Sequence, residues 1–221
     1  MNARALVLWS ELAPLDADPP RWSALAADLP ASMTVGVGDS LRESDRRLRL
    51  LGRVLLARAL VRIGAGECHG LTFDSLGRPH LPGDLDPSIS HTGGLACAAV
   101  GVGCRIGVDV ERRQSIEPAL YDRVLAPDER RHAVGSSDPD GEFLMFWTMK
   151  EAAAKADGRG LQHDPLDLLC RIGSDAQSAT VQVEAVNYRI RSLPLPAGWL
   201  GSFATDTPRD LGFTAEAYSF S

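Results

Sequence analysis

Two hydrophobic periods alternate along the chain and divide it into elements. Leu6-Val7-Leu8-Trp9 is a continuous apolar run of strand length. Over residues 41–63, Leu48, Leu51, Leu55, Leu56 and Leu60 return at helical spacing while Arg46, Arg49 and Arg53 fall on other faces, which predicts the main helix of the first half. Ser40, with Glu43 three residues on, reads as its capping box. Asp74-Ser75-Leu76-Gly77 reads as a turn that delivers Arg78-Pro79-His80-Leu81 in extended form, because proline restricts the residue before it. Residues 95–100 and 105–110 read as strands, and Gly101-Val102-Gly103 between them suits a tight hairpin.

The second half repeats this plan. Pro127 stands where a helix begins, residues 142–156 predict a second long helix, and 166–172, 180–186, 188–193 and 200–205 alternate like strands. Residues 136–141, Ser-Ser-Asp-Pro-Asp-Gly, read as a mobile loop. Each half thus runs from a strand or turn to a long helix and then to hairpins. The expectation is an α+β fold of two similar halves, 1–110 and 111–221.

Composition narrows the classes of function. With 44% hydrophobic and 24% charged residues the chain has the make-up of a folded globular protein. A net charge of −6 without a basic run lacks the footprint of nucleic-acid binding. The longest weakly polar stretch, 95–110, is interrupted by Gly101, Gly103 and Arg105, so no membrane span is expected. Residues 5–9 are too short an apolar run for a signal peptide, and Glu11, Asp16 and Asp18 follow at once. Cys68, Cys97, Cys104 and Cys170 form no CxxC pair and no zinc-finger spacing, so they read as buried free thiols of a cytoplasmic protein.

Three groups of residues carry candidate chemistry. Asp109 and Glu111, two apart in a strand, project to one face, where hard carboxylate oxygens suit Mg²⁺ or Mn²⁺; a solvated strand end has the same pattern. Glu151 and Lys155 share a helix stripe at i,i+4 with Trp147 one turn earlier. Such a pair is commonly a surface ion pair, but Phe143, Phe146 and Trp147 make this one the rim of an apolar surface. In Ser88-Ile89-Ser90-His91-Thr92-Gly93 no GxSxG elbow exists and adjacent strand residues point apart, so Ser90 and His91 suit phosphate contact better than nucleophilic catalysis; a turn histidine without function is the alternative. Gly158-Arg159-Gly160 lacks the lysine and spacing of a P-loop.

Taken in order, Gly77-Arg78-Pro79, the Ser88–Gly93 segment, Gly107-Val108-Asp109-Val110-Glu111 and Phe146-Trp147-Thr148-Met149-Lys150-Glu151-Ala152-Ala153-Ala154-Lys155, closed by Gly158-Arg159-Gly160-Leu161, resemble the Sfp-type 4′-phosphopantetheinyl transferases. The Trp-x-x-Lys-Glu-Ala form resembles the branch that serves polyketide and non-ribosomal peptide assembly lines. The resemblance implies a pseudo-dimer of two α/β halves with coenzyme A held in the cleft between them. It implies Mg²⁺-dependent transfer of 4′-phosphopantetheine to a serine of an apo acyl- or peptidyl-carrier protein, by a cytoplasmic monomer with no membrane or nucleic-acid partner. By motif position Asp109, Glu111 and Glu151 would hold the metal, with Mn²⁺ as the substitute, and Glu151 and Lys155 would be catalytic. Coenzyme A contacts would fall to Arg49, Arg78, Ser90, His91, Lys150 and Lys155. The net-negative chain meets carriers that are acidic too, so docking is expected to be apolar, through the helically spaced Leu120, Tyr121, Val124 and Leu125, for which ordinary core positions are the alternative. A Mg²⁺-dependent phosphohydrolase and an inactive scaffold binding coenzyme A or a carrier are the alternatives.

Overall fold

The structure is a computed structural model that describes residues 3–37, 42–67, 70–173, 179–207 and 211–220. The chain order is β1 (Arg4–Glu11), α1 (Ala13–Asp16), α2 (Pro19–Ala27), α3 (Ala31–Thr34), α4 (Glu43–Arg62), β2 (Thr72–Phe73), β3 (Pro79–His80), β4 (Leu85–Thr92), β5 (Leu95–Val102) and β6 (Ile106–Arg112). It continues with α5 (Pro118–Val124), α6 (Pro127–Gly135), α7 (Pro139–Asp157), 3-10 turns at Gly160–Gln162 and Pro165–Asp167, β7 (Leu169–Ile172), β8 (Ala179–Val183), β9 (Val186–Ser192), β10 (Trp199–Thr205) and β11 (Gly212–Ala217). Two compact units result, Met1–Cys104 with Leu211–Ser221, and Arg105–Asp210.

In the first unit the strand order is β11-β1-β5-β4. β5 pairs antiparallel with β1 and β4, and β11 lies parallel to β1. Gly93 and Gly94, both at positive φ, form the two-residue turn that joins β4 to β5, a conformation few other residues adopt. α4 lays Leu48, Leu51, Leu55, Leu56 and Leu60 into the core, each buried as the periodicity predicts. Burying one such side chain contributes about 1.5–3 kcal/mol, so this stripe is what keeps the helix on the sheet. At Gly52 a Cβ would come within 2.7 Å of Ile89 Cγ2, so glycine there sets how closely α4 approaches β4. The Asp74 turn forms as expected: its carboxylate accepts from the Leu76 and Arg78 amides, and Gly77 has φ 80°.

In the second unit five antiparallel strands follow the order β6-β10-β9-β8-β7, with α7 against β6 and β10. α7 starts at Asp138, whose carboxylate accepts from the Gly141 amide, and stops at Gly158 in the left-handed region, where the chain turns away. α6 starts on Pro127, as read, and Glu129 accepts from the Ala126 amide.

Each unit is by itself an α+β layer with one long helix on a sheet, in keeping with the repeated plan, though one sheet has four strands and the other five. Several expectations are corrected. β5 and β6 form no hairpin; β5 pairs within the first unit, β6 pairs with β10, and the chain passes between units at Cys104 and Arg105. The division therefore falls at 104/105 instead of 110/111, and residues 211–221 return to the first unit because β11 adds a strand to β1. Residues 136–141 are no mobile loop: Asp138 is a helix cap and Pro139 to Gly141 are the first turn of α7. Residues 166 and 167 lie in a 3-10 turn ahead of β7, which begins only at Leu169. The readings of Ser40 as a cap and of Cys68 as a buried thiol lie outside the described residues. Of the described cysteines only Cys97 is buried, as expected, while Cys104 and Cys170 are half-buried. No helix among the described residues is long and apolar enough to cross a membrane.

Candidate active site

β6 presents Gly107, Asp109 and Glu111 on one face, and α7 runs along that face in the opposite direction. At Gly107 a Cβ would lie 2.0 Å from the Ala152 carbonyl oxygen and 2.6 Å from the Ala156 amide nitrogen, so only glycine admits the helix this close. Lys155, one residue before Ala156, reaches toward the helix N-terminus, as helical side chains do, and its Nζ donates to Asp109 Oδ1 at 2.6 Å. Two turns earlier the Trp147 indole N–H donates to Glu111 Oε1 at 3.3 Å. The neighbouring strand adds a polar contact: Thr148 and Ser202, the latter paired in register with Asp109, share a 2.9 Å hydroxyl contact.

Glu151 lies on the same helix stripe as Trp147 and Lys155. Burial pushes its pKa up first, the Asp109 and Glu111 charges push it further, and Lys155 opposes them; the outcome is a rise from 4.5 to about 7. Asp109, Glu111, Glu151 and Lys155 therefore form one electrostatic group within the second unit. Asp109 is buried and Glu111 half-buried. The three carboxylates are hard oxygen donors whose mutual repulsion a divalent cation would relieve, and the site already draws the Lys155 ammonium onto Asp109. By donor chemistry they fit Mg²⁺. Among the described residues no group of three or more His, Cys, Asp or Glu side chains is arranged to hold an ion as it stands.

The Gly107 contact leads to a prediction. Gly107→Ala will destabilise the protein by about 3 kcal/mol in urea titration, because backbone atoms of α7 cannot yield as a flexible side chain would. A change below 0.5 kcal/mol would mean that the helix rides higher on the strand than described.

The remaining residues singled out in the sequence are placed differently. Lys150 is completely buried, and its Nζ bonds to Glu129 Oε2 at 2.6 Å and to the carbonyls of Val124 and Pro165, both at 2.8 Å. An ammonium has three N–H donors and all three are used, which corrects the expectation that Lys150 contacts coenzyme A. Arg78, in the first unit, is also buried; its Nη2 donates to both Asp86 oxygens, at 2.7 and 3.0 Å, while its buried Nε has no partner among the described residues. Ser90 and His91 are adjacent in β4, Ser90 buried and His91 half-buried, while Arg49 is exposed on α4. Of the expected docking residues, Tyr121, Val124 and Leu125 belong to a core cluster with Phe143, Leu144 and Phe146, and Leu120 alone is exposed. Their helical spacing records a face turned inward.

The Gly158-Arg159-Gly160 turn anchors the end of α7. Burial raises the Asp157 pKa, but hydrogen bonds from Arg159 and His163 outweigh it and hold the carboxylate at about 2. Arg105, which sequence reading passed over, donates to the carbonyls of Ala156 and Asp157 and so satisfies the helix C-terminus. A depressed acid stabilises the fold above its unfolded pKa of 3.8 and loses that contribution as pH falls toward 2. Asp157→Asn will therefore lower stability at pH 7 by about 1–2 kcal/mol, discounted for partial exposure, and the difference from wild type will shrink below pH 4 in thermal melts. Sequence reading also missed the close approach at Gly107 and the Thr148–Ser202 contact. The glycine's place two residues before Asp109 was visible, but the helix that it meets was not.

Comparison with known proteins reaches the same segment. Residues 105–199 match the family model of the 4′-phosphopantetheinyl transferase superfamily. The 4′-phosphopantetheinyl transferase psf-1 of Bacillus pumilus is 26% identical over 140 residues, which are 61% of this chain and 60% of that protein. A 4′-phosphopantetheinyl transferase of Bacillus subtilis is 29% identical over 150 residues, 61% of this chain and 66% of that protein. The chain thus spans less than two thirds of the length of the curated relatives it matches. The matched segment includes β6 and α7 with Asp109, Glu111, Glu151 and Lys155, and over residues 105–199 the chain is similar to the 4′-phosphopantetheinyl transferase superfamily.

Proposed function

We propose that the protein transfers 4′-phosphopantetheine from coenzyme A to a serine of an apo acyl- or peptidyl-carrier protein, in the cytoplasm and in the service of fatty acid, polyketide or non-ribosomal peptide synthesis. The observation that carries this reading is the stripe of Glu151 and Lys155 on α7 lying against Asp109 of β6. The family match over the same elements and the printed names of the two relatives support it.

The serine Oγ forms a bond to the pantetheine-side β-phosphorus, the bond from that phosphorus to the bridging oxygen breaks, and 3′,5′-adenosine bisphosphate leaves. Glu151 takes the serine proton directly or through a water, by a carboxylate oxygen that the cation would leave free. Lys155 supplies positive charge where the leaving group becomes more negative. Asp109, Glu111 and Glu151 are the residues that would hold Mg²⁺, whose chemistry there is to neutralise phosphate oxygens. In the first unit Arg78, Ser90, His91 and Arg49 are proposed as contacts to the phosphates and adenine; Arg78 must share its guanidinium with Asp86.

Mass spectrometry of an apo carrier protein incubated with this protein, coenzyme A and Mg²⁺ tests the reading. A gain of one phosphopantetheine on the carrier is expected. Release of free phosphopantetheine without carrier modification would indicate a phosphohydrolase, and binding without turnover a scaffold; either would overturn the proposal.

A further inference from the structure

We infer that the buried pair Lys150–Glu129 is a positioning device that fixes the rotation of α7, and with it the direction of Glu151; this deepens the transfer reading and rests on it. Glu129 is 5% exposed and Lys150 not at all. Besides Lys150, Glu129 accepts from the Ala126 amide through Oε2 at 2.9 Å and from the Cys170 amide through Oε1 at 2.8 Å. Lys150 adds the carbonyls of Val124 and Pro165. One ion pair therefore joins the end of α5, the start of α6, the turn Pro165–Asp167, the start of β7 and the middle of α7.

The geometry shows why such a node sits beside a functional residue. Lys150 and Glu151 are neighbours on the helix, separated by about 100° around its axis, so a side chain that clamps one sets the azimuth of the other. The opposite side of α7 is held by Gly107 and by the Lys155–Asp109 contact. A helix gripped on both sides cannot roll, and a small misplacement of a reacting group costs about 100-fold in rate. An ion pair buried this deeply gains little stability over an apolar pair, but losing one partner is costly because the other charge is left stranded. The compact ammonium suits the role better than a guanidinium, because its three donors meet three acceptors that converge on one point.

The test compares Lys150→Met, Glu129→Gln and the double variant with wild type. Each single variant is expected to melt about 10 °C lower, and the double variant to lose less than the sum of the two. Well below those melting temperatures, calorimetric Kd for coenzyme A is expected to stay within about twofold of wild type. The kcat for carrier modification is expected to fall about 10- to 100-fold in both single variants alike, with KM for coenzyme A little changed. Should Lys150→Met fail to fold, Glu129→Gln carries the test, since it exchanges a single atom and keeps the lysine.

A tenfold weaker coenzyme A Kd in Lys150→Met but not in Glu129→Gln would make the lysine a ligand contact and overturn the inference. Full kcat in folded, less stable variants would reduce the pair to scaffolding and overturn it as well. A wild-type protein that modifies no carrier sinks the transfer reading itself, an outcome distinct from a wild type that transfers while its variants do so equally well.

Discussion

Glu151→Gln will abolish carrier modification and at the same time make the metal-free protein more stable at neutral pH. The amide cannot accept the serine proton and is a poorer donor to a cation, so kcat is expected to fall by at least 100-fold. The gain in stability follows from the raised pKa. Burial and the Asp109 and Glu111 charges lift Glu151 from 4.5 to about 7, so the folded state binds its proton more tightly than the unfolded state does. Between pH 4.5 and 7 the folded protein holds more protons, and its stability falls as pH rises through that window. Above pH 7 the cost of the buried charge is fully present, up to ~3 kcal/mol, and the glutamine removes it. Melts in chelator should show variant and wild type together near pH 4, diverging as pH rises and separated by several degrees at pH 8. Equal melting temperatures at pH 8 would show that the carboxylate is better solvated than its burial indicates. A residue that costs stability where it stands is what a site selected for chemistry looks like.

Lys155→Ala will lower kcat by about 100-fold while changing KM for coenzyme A far less. Its charge is needed most when the leaving group gains negative charge, and an interaction strengthened only in the transition state appears in kcat. Lys155→Arg should rescue poorly, because Nζ sits 2.6 Å from Asp109 and a guanidinium differs from the ammonium in shape and reach. Loss of the ammonium also removes a positive charge that acts on Asp109 and Glu151, so the alanine variant should need less Mg²⁺ for half-maximal binding by calorimetry. An unchanged kcat would demote Lys155 to a structural ion pair.

How legible the site was depended on whether its geometry is local. Period two alone puts Asp109 and Glu111 on one face, and i,i+4 spacing puts Glu151 and Lys155 on one stripe, since backbone dihedrals determine both. The same periodicity found α4 and most of α7, because an amphipathic stripe is written into neighbouring residues. Local patterns failed where two distant segments share one interaction. Lys150 stood as a coenzyme A contact only through the motif it shares with the resembled family, but Glu129, 21 positions earlier, lies at the end of its reach. Tyr121, Val124 and Leu125 looked like a docking face, since a helix with one apolar stripe looks the same in sequence whether that stripe meets a partner or its own core. The 95–110 segment looked like a hairpin because two apolar runs around glycines suit one, whereas strand partners are chosen by the whole sheet.

By itself, then, the sequence determined the α+β class, the two long helices, the stripe of Glu151 and Lys155, the shared face of Asp109 and Glu111, and the motifs that resemble a known transferase family. These follow from dihedral periods of two and 3.6 residues and from side-chain chemistry, which neighbouring residues settle among themselves. Tertiary structure alone decided that α7 lies on β6, close enough for Lys155 to reach Asp109, because that approach depends on Gly107 meeting the backbone of Ala152 and Ala156 some 45 residues away. It alone raised the Glu151 pKa, since burial and repulsion act through space, and it alone turned Lys150 inward, because a buried charge goes where its counter-charge and free carbonyls happen to converge.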